Sequence, residues 1–127
     1  MSALSDYLEN KLLDHALGTA AYTMPTVYVA LYTSDPTDAD TGTEVSGGGY
    51  ARQTVTFNAA SGGSASNASD ITFPQATADW GTITHIGLRD AATGGNLLWH
   101  GALDQAKTVT NGDTFVIPAG SLTITLD

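Results

Sequence analysis

Residues 26–33, Thr26-Val27-Tyr28-Val29-Ala30-Leu31-Tyr32-Thr33, decide the fold class. The run is β-branched and aromatic and apolar on both faces, which is the pattern of a central strand covered on both sides. Pro25 precedes it and Ser34-Asp35-Pro36 stops it. Downstream, Pro36 to Gly49 is small and polar, ends in Gly47-Gly48-Gly49, and predicts a long exposed loop. Tyr50 to Phe57 alternates as a strand, with Ala51, Val55 and Phe57 on one face and Arg52, Thr54 and Thr56 on the other. Ala59 to Ser69 is low in complexity and predicts a loop or irregular edge.

The second half repeats the strand-and-turn rhythm. Asp70 to Phe73 is a short strand ended by Pro74. Thr82 to Arg89 and Asn96 to Leu103 are strands joined by the hairpin loop 90–95. Lys107 to Thr110 and Thr114 to Ile117 flank Asn111-Gly112, the strongest short hairpin signal in the chain. Ser121 to Leu126 closes it with Leu122, Ile124 and Leu126 on one face. Upstream of the deciding run, Ser2 to Leu17 reads as a helix: Leu4, Leu8, Leu12 and Ala16 recur every four residues, Ser2 or Ser5 can cap it, and Gly18 can end it. The expected fold is mainly β: an antiparallel β-sandwich, jelly-roll-like, of seven or eight strands with one N-terminal α-helix. A single domain is expected over 1–127, with the helix in 1–18 and the sandwich in 26–127. The helix is too short to stand alone in water, so its stripe must pack on the sandwich or on another subunit.

Composition narrows the function. The 127 residues hold 4 basic and 13 acidic side chains, a net charge of −9, and only 13% are charged. Such a chain repels phosphate backbones and anionic lipid, and Lys11, Arg52, Arg89 and Lys107 form no basic patch in sequence, so neither nucleic acid nor membrane is an expected partner. No apolar run approaches the ~18 residues of a membrane span. Asp6, Glu9 and Asp14 interrupt what would have to be a secretory leader. Without Cys there is no disulfide framework, thiolate nucleophile or Cys zinc site.

No constellation for catalysis assembles, and no cofactor is expected. There is no G-x-S-x-G elbow, and Ser46-Gly47-Gly48-Gly49 lacks the Lys-Ser/Thr and the following helix of a phosphate loop. Asp35, Asp38, Asp40 and Glu44 are the one acidic cluster that could offer oxygens to a hard cation, but without EF-hand spacing. A solvated loop is the plainer reading. His85 and His100 fall on adjacent strands with no third ligand in view, and their relative facing depends on register. Tyr28, Tyr32 and Trp99 read as core or subunit contact, whereas Trp80, in Ala78-Asp79-Trp80-Gly81, anchors either its own loop or a partner.

Several motifs occur in one order: Tyr7-Leu8-Glu9-Asn10-Lys11, Thr33-Ser34-Asp35-Pro36, Gly42-Thr43-Glu44-Val45, Gly48-Gly49-Tyr50-Ala51-Arg52-Gln53, Phe73-Pro74, Ala78-Asp79-Trp80-Gly81, His85-Ile86-Gly87 and Gly94-Gly95-Asn96-Leu97-Leu98. Together they resemble a family of small tailed-bacteriophage structural proteins, often labelled tail fibre or minor tail protein. The resemblance implies a non-enzymatic virion part, assembled in the bacterial cytoplasm. Within that class, a capsid decoration (cement) subunit, usually a small β domain and often a trimer, is the first expectation, with the major capsid protein as partner. A tail fibre, tail-tip or receptor-adaptor protein, with tail proteins as partners, is the alternative. Leu4, Leu8 and Leu12 of the helix, together with Tyr50, Arg52, Trp80 and Arg89, are the expected contacts with neighbouring chains, the two arginines pairing with acids across them. Two rivals stay open. One is a carbohydrate- or receptor-binding module using an exposed Trp80 beside Asp79. The other is a metal-dependent hydrolase of surface sugar relying on Asp38 or Asp40.

Overall fold

The computed structural model describes residues 3–126. Among them are one helix and nine strands, and every strand pair is antiparallel. The fold is mainly β and sandwich-like. The deciding run supplies β2 (Tyr28–Tyr32), which lies inside a five-stranded sheet between β3 (Gln53–Thr54) and β6 (Gly81–Arg89). Beyond β6 come β7 (Leu97–Val109) and the two-residue β1 (Ala3–Leu4). Val29 to Tyr32 are buried, which explains why a run apolar on both faces belongs here.

Pairing Leu31 with Ile86 and Val29 with Leu88 turns those side chains to one face; Ala30, Tyr32 and Gly87 take the other. The first face is covered by β5 (Ile71–Thr72) with β8 (Val116–Ile117) and by β4 (Ser64–Ser66) with β9 (Thr123–Thr125). Phe73 meets Phe115 edge-on at 5.7 Å between centroids, and Tyr50 meets Trp80 edge-on at 5.4 Å, so aromatic packing joins the layers. The second face carries the helix and the Asp35–Glu44 segment. Gly87 must be glycine here, because a Cβ would sit 2.7 Å from the Tyr32 ring.

Helix α1 spans Asp6–Ala16 and starts at Ser5, whose side chain accepts the Leu8 N–H and donates to the Leu97 carbonyl across the fold. Ser2, the other capping candidate, lies outside the described residues. The leucine stripe is not free: Leu8 is 1% exposed in the core, and Leu4 and Leu12 pack against it. The helix instead leaves Leu13 and Leu17 exposed, with Met24 beyond them.

Four expectations need correcting. The low-complexity stretch 59–69 contains strand β4, because its ladder partner is β9, distant in sequence. Asn111-Gly112 does make a turn, with the Asp113 N–H on the Thr110 carbonyl, but it joins strands of different sheets: Lys107–Val109 pairs with β6, and Val116–Ile117 pairs with β5. The strand expected over Tyr50–Phe57 shrinks to β3, since Tyr50 and Arg52 are held by side-chain bonds instead of a ladder. The strand expected to end at Leu103 continues to Val109 through a bulge. Ile83 faces Lys107 and His85 faces Ala102, so Leu103, Asp104, Gln105 and Ala106 stand opposite Thr84.

Candidate functional site

Two arginines organise the end of the sheet where the 36–49 segment meets the 90–95 hairpin loop. Arg52 grips the Glu44 carboxylate through Nε and Nη2, both at 2.8 Å, while its Nη1 donates to the carbonyls of Ala91 (2.8 Å) and Gly94 (2.9 Å). Arg89 grips Asp40 through Nη1 at 2.8 Å and Nη2 at 2.9 Å, and donates to the Tyr32 hydroxyl at 2.9 Å and the Gly95 carbonyl at 3.0 Å. Each is a planar fork matched to a carboxylate, the strong form of a charged hydrogen bond. Both clamps lie within this chain, so the expectation that Arg52 and Arg89 pair with acids of a neighbour is corrected.

The surroundings fix the protonation of these groups. Burial disfavours the Glu44 charge, but the hydrogen bonds from Arg52 and Tyr50 outweigh it and hold the carboxyl below its ordinary range. Burial and the adjacent Glu44 carboxylate push the Tyr50 phenol far up, so it remains a donor, to Glu44 at 2.6 Å. Burial likewise works against the Arg89 charge, and Asp40 and Tyr32 overcome it, raising its pKa. These side chains are mutually engaged and present neither a free nucleophile nor a free base. What the arrangement does is hold two loops rigid against one sheet end.

The triple glycine completes it. Gly47, Gly48 and Gly49 all have positive φ, and the Gly48 carbonyl accepts the Trp80 indole N–H at 2.8 Å. A Cβ on Gly48 would fall 2.9 Å from that nitrogen, which is why the close approach requires glycine. Trp80 is thus buried and anchors its neighbouring loop; it is not the exposed platform that the carbohydrate rival required at this position. The 36–49 segment is less exposed than expected, since Pro36 and Val45 are buried and Asp40 adopts φ 59° under the Arg89 clamp.

The four acids of the loop divide between His100, which both Asp35 (3.7 Å from Nδ1) and Asp38 approach, and the two arginines. Asp35 caps the Thr37 N–H at 2.9 Å, Asp38 meets His100 Nε2 at 2.8 Å, and Asp40 and Glu44 take the arginines. Among the described residues, the carboxylates that do converge are Asp6, Glu9 and Asp38, within 4.8 Å of one another and exposed. They are the side chains best placed to share a cation. Sequence reading missed this trio because Asp6 and Glu9 belong to the helix; their place in its first turn was the available signal. His85 and His100 share a face, since His85 opposes Ala102 and His100 opposes Gly87, but His85 bonds Thr84 while His100 turns to Asp38.

The motifs that build the Arg52–Glu44 clamp, Gly42-Thr43-Glu44 and Gly48-Gly49-Tyr50-Ala51-Arg52, lie inside a longer match. Residues 3–125 match the family described as podophage GP4 fiber I protein gp80. The chain belongs to this family of phage fibre proteins. Membership makes it a phage structural protein, in line with the resemblance read from the motifs. No curated protein matches the chain. Among the described residues no helix is long and apolar enough to cross a membrane.

Proposed function

We propose that the chain is a non-enzymatic structural module of the virion's tail fibre, assembled with other tail proteins and with copies of itself. The observation that carries this reading is the fibre-family match, which spans residues 3–125. The clamped loop end supports it: a module exposed at a particle surface must keep its loops in one shape, and two bidentate arginine pairs do so without a disulfide. The fibre name favours this over capsid decoration, which rested on a short, self-contained, acidic and Cys-free β chain without the repeats of a fibre shaft.

Immunogold labelling of intact particles with an antibody to this chain tests the reading. Label confined to the tail fibres is the expected result. Label spread over the capsid shell would overturn it and restore the decoration role. Native mass spectrometry of the purified chain reports its self-association, with a trimer expected.

A further inference from the structure

Most acids of this chain are engaged inside it. Besides those at the clamps, Asp70 caps the Ala119 N–H, Asp79 the Asn111 N–H, Asp90 the Asn96 N–H and Asp113 the Thr110 N–H. The bulge of β7 is different. Asp104, Gln105 and Lys107 show no side-chain hydrogen bond or ion pair among the described residues. All three line the rim of a cleft of about 540 Å³ between the β6–β7 hairpin and the β8–β9 segment. Its walls are Leu88, Trp99, Leu103, Phe115 and Leu122. The Trp99 indole N–H is buried without an acceptor, an arrangement shared among the described residues only with the Tyr22 hydroxyl.

We propose that this cleft binds a neutral saccharide. Its volume falls in the ~300–1,000 Å³ range of small-ligand clefts. The apolar and aromatic wall suits the C–H face of a sugar ring. The rim offers a carboxylate, an amide and an ammonium to hydroxyls, each of which both donates and accepts. The Trp99 indole nitrogen is closed to solvent, so what this residue offers a sugar is its ring and not that N–H. The bulge re-aims Asp104 and Gln105 over the opening, as bulges beside binding sites do. The same bulge interrupts the β7 edge, which disfavours an added peptide strand. A charged rim disfavours a lipid tail, and a net charge of −9 disfavours an acidic sugar.

The fibre reading enters only as the source of the sugar, so titration of the isolated chain and labelling of the particle fail separately. The test uses the two indole N–H resonances of ¹⁵N-labelled protein. Trp80, locked to Gly48, reports the fold, and Trp99 reports the cleft. D-glucose, D-galactose, L-rhamnose, N-acetylglucosamine and their common disaccharides are titrated one at a time. At least one is expected to move the Trp99 signal saturably while Trp80 stays still. D104A and Q105A, on the exposed bulge, are expected to weaken that binding by about tenfold. The proposal is overturned by unchanged binding in both variants, or by no saturable shift at roughly 50 mM, far above a ~1 mM dissociation constant. Saturation of Trp99 by hexanol and by no sugar also overturns it.

Discussion

Replacing Arg89 with alanine would remove the donors to Asp40, the Tyr32 hydroxyl and two loop carbonyls in one step. Breaking a buried ion pair by deleting one partner costs about 3–5 kcal/mol. The Asp40 side chain is 36% exposed and can recover water, so R89A should cost about 3 kcal/mol, the low end. Chemical denaturation measures it; a loss below ~1 kcal/mol would mean the clamp is incidental. Glu44 makes a different prediction, about pH. Its folded pKa lies below the ordinary 4.5, so the unfolded chain binds the proton first as pH falls. Its contribution is therefore complete above that ordinary value and disappears as pH drops through the folded one. E44Q should be less stable than the parent at pH 7 and show a shallower decline in stability below pH ~4.5, read from denaturation midpoints across the acid range. The clamps were only half visible in sequence. Arg52, Arg89 and the acids were singled out as rare cations and clustered anions, but partners 8 and 49 residues apart can be matched only by a fold that brings them together.

At the scale of elements, the sequence was most legible where one segment carries its own signal. The helix has its stripe and cap, β2 its apolar run, and β6–β7 its glycine-rich turn. It was least legible where a strand depends on a remote partner. Ser64-Ala65-Ser66 has no β-branched or aromatic residue, and it becomes a strand because Thr123-Ile124-Thr125 lies beside it. The β7 bulge had no signal either, since register is a property of two strands. Ser5 ties the helix to the sheet through its cap and its bond to the Leu97 carbonyl. S5A should cost about 1–2 kcal/mol, more than an exposed cap, because the Leu97 acceptor is left unmet. Hydrogen exchange should show faster opening of α1 with β6 unaffected; equal acceleration in both would mean the helix and sheet open together.

For the whole molecule, the same charges act in opposite directions by location. The arginine pairs are short and largely shielded, so salt screens them little. The remaining field is that of a −9 chain whose exposed Asp6, Glu9 and Asp38 lie within 4.8 Å of one another. Mutual repulsion of this kind opposes the compact state and is screened within a Debye length of about 10 Å at 0.1 M. Stability should therefore rise, not fall, as sodium chloride goes from about 10 mM to about 0.5 M. A gain near ~1 kcal/mol would move the midpoint of thermal unfolding by a few degrees. The double variant D6N/E9Q should start higher at low salt and gain less on its addition, since it removes the closest repulsion while leaving both clamps intact. A midpoint that falls with salt would show that attraction between surface ions dominates instead. It would also mean that the helix N-terminus needs those acids more than it suffers from them.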